Sequence, residues 1–435
     1  MNKGGVVPKL RFSEFGGEWE IKPFNEIYSF KMTNSFSRDK LNYDKGTIKN
    51  IHYGDIHTKF SILFDITKER VPYINNNISL NNINLDNYCI EGDMVLADAS
   101  EDLDDIGKSI EIINLNNEKL LSGLHTFLAR QVEQKIIIGF GGYLFKSNSI
   151  RTQIKREAQG TKVLGISKGR TSNIKIYYPE SKKEQQKIAH CLSSLDNLIN
   201  AETTKLDTLK VHKKGLLQQL FPAEGKTLPQ LRFPEFIGDR AWEKNFLSNI
   251  ATFSKGKGIS KSDIINNGNK LCIRYGELYT RYNEVIKDVF SKTNLPKEQL
   301  VFSQKNDVII PSSGETQEDI ATASCILENG IALGGDINII RSNINGIFLS
   351  YYLNNAKKIE IAKIAQGNTI VHLYLSQLEK LEIETPSPKE EQKIAQCLTS
   401  LDELITTQTQ KIATLKEHKK GLIQQLFPNI DKVNT

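Results

Sequence analysis

The sequence predicts an α+β fold built twice: two mixed α/β globular domains joined by two long helices that form an antiparallel coiled coil, with internal pseudo-twofold symmetry. Three observations predict it. Residues 183–222, KEQQKIAHCLSSLDNLINAETTKLDTLKVHKKGLLQQLFP, return as residues 389–428 at a constant offset of 206, with 28 of 40 positions identical. A shorter repeat stands well ahead of each copy, PKLRFSEF at 8–15 and PQLRFPEF at 229–236. Between the short and the long repeats lie β-type runs punctuated by Gly, Asn and Asp, the composition of loop-rich mixed domains. Self-similarity on this scale outranks local propensity, because it says that one folding unit has been used twice.

The first domain, residues 1–180, opens on the short repeat and on Trp19, whose counterpart is Trp242. Its β-type runs include 136–140 and 174–178. The second domain, residues 223–386, has such a run at 308–310 and a helical stretch over 347–365. Fainter echoes keep the two in step. Tyr53-Gly54-Asp55-Ile56 returns as Tyr275-Gly276-Glu277-Leu278, GDMVL at 92–96 as NDVII at 306–310, and Ala158-Gln159-Gly160 as Ala365-Gln366-Gly367.

Each domain runs into a helix, 181–222 and 387–428, and residues 429–435 remain as a tail. Ser181 with Glu184 and Ser387 with Glu390 make capping-box patterns, the second with proline at the first helical position. Pro222 and Pro428 close the helices. Apolar residues recur at spacings of four and three: Ile188, Leu192, Leu195, Ile199, Leu206, Leu209, Leu216 and Leu220, then Ile394, Leu398, Leu401, Ile405, Ile412, Leu415, Leu422 and Leu426. This is a heptad seam that needs a partner helix. Glu202 and Gln408 occupy equivalent seam positions near mid-helix, either setting register or lying at a loose crossing. A run from 183 to 220 at 1.5 Å per residue spans about 57 Å. A parallel pair would force the second domain to carry the chain that distance back, so an antiparallel pair is expected, with the domains at opposite ends and the C-terminal residues returning to the N-terminus. Gly215 and Gly421 interrupt good helix formers, which suits close approach by another backbone, from the other helix or from a partner. Lys213-Lys214 and Lys419-Lys420 face either a ligand or solvent.

Hydrophobic content of 39%, charged content of 25% and a net charge of +6 describe a soluble globular chain that tolerates a polyanionic partner without demanding one. The five cysteines include no close pair, which argues against a metal knuckle or a disulfide framework. No apolar run reaches membrane-spanning length and no signal peptide is evident, so no membrane is expected and the expected location is cytoplasmic. No phosphate loop, HExxH or GxSxG is present. His52 and His57 stand five apart, but the second copy of their segment loses both. Glu133-Gln134-Lys135 is too short a match to a nuclease pattern, and the acidic stretch 98–105 has a less acidic counterpart at 312–319. No catalytic residue and no metal ligand set is expected.

What remains is a binding architecture, and two different readers at a set spacing suit duplex DNA with two unlike half-sites. Phosphate contacts ask for Lys, Arg and small polar donors, and base reading for Arg, Asn, Gln or Lys. The candidates at equivalent positions are Tyr53, Thr58 and Lys59 with Tyr275, Thr280 and Arg281. Others follow the Ala-Gln-Gly echo: Thr161, Lys162, Lys168 and Arg170 in the first domain, and Asn368, Thr369 and His372 in the second.

The helix signature, K-E-x-Q-K-I-A-x-C-L-x-S-L-D-x-L-I ending in H-K-K-G-L-x-Q-Q-L-F-P, resembles that of the specificity subunit of type I restriction-modification enzymes, and the resemblance extends over residues 8–428. It implies two target recognition domains, each reading one half of a split double-stranded DNA site, on a coiled coil that sets the spacing and docks two methyltransferase subunits. It further implies that S-adenosylmethionine, ATP and Mg belong to those and to restriction/translocase partner subunits, with no cofactor on this chain. The alternatives are a twin-domain adaptor for protein partners and a nuclease with a degenerate site.

Overall fold

The computed structural model describes residues 6–80, 83–367 and 370–429. The chain forms two compact units, Met1–Glu202 with Lys411–Thr435, and Thr203–Gln410. Each unit therefore takes one globular domain, the first half of the helix that follows it, and the last half of the other helix.

In the first unit a five-stranded sheet is built from β1 (Tyr28–Lys31), β2 (Leu63–Asp65), β3 (Met94–Ala97), β4 (Ser109–Asn114) and β5 (Thr126–Gln131), in the order β1-β5-β3-β4-β2. All pairs are antiparallel except β2 with β4. All four residues of β3, MVLA, are buried, as a central strand covered on both faces requires. Helices α1 (Tyr53–Thr58), α2 (Gly141–Lys146) and α3 (Asn148–Glu157) flank the sheet, and α4 (Lys182–Gln219) leads out of it. The second unit repeats the plan with β6 (Ala251–Lys255), β7 (Val285–Ile286), β8 (Val308–Pro311), β9 (Ser324–Ile326) and β10 (Ile337–Ser342), in the order β6-β10-β8-β9-β7 with only β7 and β9 parallel. Its longer helices include α5 (Tyr275–Thr280), α6 (Gly346–Asn355), α7 (Lys358–Ile364) and α8 (Pro388–Leu426). The smaller sheets diverge. Both hold a parallel pair, Ile48–Ile51 with Lys119–Ser122 and Lys270–Ile273 with Ala332–Leu333, but the fourth strand is added at opposite edges.

The short repeat anchors the helix starts. The Arg11 guanidinium donates two 2.8 Å bonds to Glu184, and Arg232 does the same to Glu390 at 2.8 and 2.7 Å. Both carboxylates are almost fully buried. Trp19 Nε1 adds a third donor to Glu184 at 3.2 Å. The expected capping boxes are thus only half made. Ser181 and Ser387 accept from the N–H of Glu184 and Glu390, but the carboxylates turn to arginine, a stronger charged partner than a backbone N–H. The Leu-Phe-Pro helix ends are anchored too. In the first unit Phe427 packs on Trp19 and Phe140, and in the second Phe221 packs on Phe348 and Tyr352. The Leu10 amide donates to Gln425 O in one unit as the Leu231 amide does to Gln219 O in the other, both at 2.9 Å, so in each unit the short repeat is bonded to a helix end.

Within each unit the helix halves run antiparallel. In the first, Glu202 pairs with Lys411 and Asp196 with Lys419, so one index rises as the other falls, and Ile188 and Leu192 share a core with Ile423 and Leu426. In the second, Lys213 bonds Asp402 at 2.6 Å, and Leu216 and Leu220 pack with Ile394 and Leu398. Every seam residue is buried or half-buried. Glu202 is half-buried and Gln408 is buried.

A clasp recurs at each site. Tyr143 donates to Asp196 at 2.6 Å while Lys419 bonds Asp196 and lies over the Tyr143 ring, and Tyr351, Asp402 and Lys213 repeat the arrangement. One domain and both helices are tied by three side chains. Lys213 and Lys419 are therefore structural, whereas Lys214 and Lys420 are exposed. A Cβ on Gly215 or Gly421 would meet nothing within 4 Å among the described residues, so no described part of this chain packs where that methyl group would stand.

Two expected elements differ. Residues 136–140 form no strand: the Gln131 amide bonds both the N–H and the carbonyl of Ile136, and Gln185 bonds Ile137 N and Lys135 O. Side-chain amides satisfy the backbone while Ile136 and Phe140 enter the core. The stretch 347–365 is two helices, α6 and α7, broken at Ala356 and Lys357, where the Lys357 ammonium is held by Glu384 at 3.2 Å and Glu360 at 3.4 Å.

Candidate nucleic-acid interface

In the first unit the short helix packs on β3, and the candidate loop adjoins it at the edge beyond that strand's end. Helix α1 begins at His52, whose Nδ1 accepts from Gly54 N, and the Tyr53 ring lies among His52, His57 and His125 at 4.7, 5.8 and 5.3 Å. Burial, and then the Arg38 charge, pull the His52 pKa down to about 4, so this cap is a neutral acceptor at ordinary pH. Buried Asp55 receives a fork from Arg38 at 2.8 Å and the Lys59 ammonium at 2.9 Å. Burial alone would raise that carboxyl, but the Arg38 and Lys59 bonds reverse it, and its pKa is lowered. Lys59 also donates to Tyr43 Oη at 3.1 Å. Thr58 is exposed, with its hydroxyl donating to Gly54 O.

The loop after the Ala-Gln-Gly echo comes to the same edge. His57 Nε2 bonds Ala99 O at 3.1 Å, the strand Ala99–Ser100 pairs with Leu164–Gly165, and Ile166 N donates to Asp98 O. Gly160 has φ +127°, and a Cβ there would collide with Val163 O, so only glycine makes this hairpin. Gly367, at φ +124°, meets the same constraint against Ile370 O. Thr161 and Lys162 stand exposed and without a bonded partner among the described residues. Lys168 lies over the Phe30 and Phe127 rings, while Arg170 is tied to Glu157 at 3.2 Å. Two carboxylates of the acidic stretch are paired with lysines, Asp104 with Lys155 and Asp105 with Lys108, and Asp98 lies 3.3 Å from His125 Nδ1.

The second unit keeps the placement with different chemistry. Tyr275 opens α5 and faces Tyr279 at 6.4 Å. Thr280 is exposed, with its hydroxyl donating to Gly276 O, and Arg281 lies 3.8 Å from Glu277. His372 pairs in the short ladder Ser313–Gly314 with Val371–His372, and its Nδ1 is 3.2 Å from Ser313 Oγ. Asn368 and Thr369 lie outside the described residues. In both units the short helix and the glycine hairpin share an edge. His125 and Arg38 were not anticipated; His125 lies in neither repeat, and Arg38 becomes visible only through its fork on Asp55.

Among the described residues no group of His, Cys, Asp and Glu is arranged to hold a metal ion, and no helix is long and apolar enough to cross a membrane.

Two units whose main sheets share one topology, with common helix anchors and unlike edges, define a duplicated binding scaffold with constant and variable parts. The chain belongs to the type I restriction-modification DNA specificity family: the model described as the type I restriction modification DNA specificity domain matches residues 16–211 and again 239–417. A Methanocaldococcus jannaschii chain, provisionally named as the specificity subunit of the type I restriction enzyme MjaX, is 25% identical over 98% of this chain and 97% of its own length. The MjaVIII specificity subunit of the same organism is 27% identical over 68% of this chain and 72% of its own. The crystal structure of a type I restriction-modification S subunit from M. genitalium shares the fold at a TM-score of 0.57 and 14% identity, covering 98% of this chain and all of that one.

Proposed function

We propose that the chain is the non-catalytic sequence reader of a type I restriction-modification complex and binds an asymmetric, bipartite duplex target, one half-site per unit. The observation that carries this is the division of labour between constant and variable parts. The Arg-Glu anchors and Tyr-Asp-Lys clasps are the same in both units, whereas the edge built by His52, Tyr53, His57 and His125 in one is built by Arg274, Tyr275 and Tyr279 in the other. Identical scaffolds with unlike edges suit half-sites of unlike sequence.

In this reading exposed Lys59, Thr161, Lys162, Lys168 and Arg281 supply backbone-directed donors, and Tyr53, Tyr275 and His372 approach the bases. Arg170, tied to Glu157, positions the loop. The long helices set the spacing and dock two methyltransferase subunits. S-adenosylmethionine, ATP and Mg serve those and the restriction/translocase subunits.

The test is to replace residues 1–180 with the equivalent domain of another specificity subunit and map methylated adenines genome-wide. One half of the methylated sequence should change and the other persist. An unchanged pattern, or loss of both halves in an assembled complex, refutes the proposal.

A further inference from the structure

Beneath the first unit's edge lies a small cavity of about 160 Å³, lined among others by His57, Phe60, Lys108, Phe145, Lys146 and Arg151. A neighbouring hollow of about 500 Å³ shares Lys108, Lys146 and Arg151 and adds Lys416, Lys419 and Lys420. Two polar atoms among these linings are buried without a hydrogen-bond partner, His57 Nδ1 and Arg151 Nη1. Buried polar atoms of this kind are uncommon and ask for an occupant.

The charge around the cavity is unbalanced. Lys108 is held by Asp105 and Lys419 by Asp196, but Lys146, Lys416 and Lys420 have no carboxylate at bonding distance among the described residues. Lys146 stands exposed at the rim of the cavity, and partial desolvation, followed by the charges of Lys108, Arg151 and Lys419, lowers its pKa. Arg151 spends Nη2 on Ile106 O at 2.7 Å and Asp104 O at 3.0 Å, leaving Nη1 free. The second unit shows what the same positions look like without such a cluster. There His57 corresponds to Tyr279, Lys108 to Thr322 and Lys146 to Asn354, and the Asn354 amide accepts from the N–H of Ala323 and donates to its carbonyl, at 2.7 and 2.9 Å.

We propose that His57, Lys108, Lys146 and Arg151 form a binding site for a small phosphate-bearing anion, present in the first unit alone. Lys146 and Arg151 supply charged donors to the unprotonated phosphate oxygens. His57 Nε2 lies 3.1 Å from Ala99 O, and in the tautomer that donates there Nδ1 is an acceptor, which suits the remaining P–OH of a hydrogen phosphate or phosphomonoester. The burial of both unpartnered atoms favours a free small anion over the backbone of a duplex, whose phosphates lie on a broad ridge and do not enter a chamber of this size.

The test is equilibrium dialysis of the full chain against radiolabelled inorganic phosphate at constant ionic strength, with sulfate and chloride as competitors. Saturable binding of one phosphate per chain is expected, resisted by sulfate less than by unlabelled phosphate. Lys146→Asn, which installs the second unit's residue, and Arg151→Gln should each weaken it about tenfold, the worth of one charged hydrogen bond, with an unchanged circular dichroism spectrum. Lys358→Asn in the second unit should change nothing. Absence of saturable binding to the unmodified chain overturns the proposal, as does binding that survives both substitutions in folded protein. An effect of both substitutions on duplex DNA affinity alone, with free phosphate inert, assigns the cluster to the DNA backbone and overturns it equally.

Discussion

Glu184 and Glu390 occupy the same place at the start of their helices, but Glu184 receives Arg11 and Trp19, whereas Glu390 receives Arg232 while Trp242 Nε1 is buried without an acceptor. A second difference lies in the sheets. Buried Glu111 on β4, which accepts from Gly142 N at 2.7 Å, stands where β9 has buried Cys325. The clasps, by contrast, match residue for residue. A duplicated unit keeps its helix-binding contacts under a common constraint, since both helix copies must fit both domains, while its interior polar groups drift apart.

The largest effect should come from cutting the anchors. Breaking a buried ion pair leaves an uncompensated charge and costs about 4 kcal/mol. Arg232→Ala should approach that figure, whereas Arg11→Ala should cost about 1 kcal/mol less because Trp19 still donates to Glu184. Denaturation followed by hydrogen exchange resolves the two units, and equal losses would show that the Trp19 bond carries no weight.

Glu111 comes next. Burial raises its pKa to about 7, against the partial opposition of the Gly142 and Gly139 amides. The folded unit therefore holds a proton that the unfolded chain releases above its ordinary value near 4.5. Stability is greatest below that value and falls as pH climbs to about 7, by about 3 kcal/mol in all. Glu111→Gln keeps the acceptor for Gly142 N, should stabilise the first unit at pH 8, and should flatten this part of its pH profile. An unaltered slope in the variant would remove Glu111 as the cause.

Smaller and equal effects are expected at the clasps. Tyr143→Phe and Tyr351→Phe each delete one bond to a carboxylate and should cost about 1.5 kcal/mol; a difference beyond about 0.5 kcal/mol would break the equivalence of the two units. The smallest change has the opposite sign. Gly215→Ala and Gly421→Ala add a methyl group into open space within a helix and should stabilise the isolated chain by about 1 kcal/mol each. If a methyltransferase subunit packs against those glycines, the same substitutions weaken its association, read by analytical ultracentrifugation of the mixed subunits.

The legible part of the molecule was its plan. The heptad spacing from Ile188 to Leu220 and from Ile394 to Leu426 announced paired helices, and each of those residues is at least half-buried. The Ala-Gln-Gly echo pointed to a shared loop whose glycine the hairpin requires. Individual roles were less legible. Lys213 and Lys214 are adjacent, yet one closes a clasp and the other is exposed, because helical rotation and the position of Tyr351 separate them. Residues 136–140 read as a strand from apolarity alone, since nothing local reveals that Gln131 and Gln185 satisfy their backbone.

By itself the sequence determined the duplication, the two helices and their seam, because repetition and periodicity are properties of the chain read along its own length. Only the tertiary structure decided that Arg11 meets Glu184, 173 residues away, that Asp196 meets Lys419 across 223, and that Lys146 and Arg151 converge beside His57. The cost of burying a charge depends on which distant groups surround it, and that is set by packing.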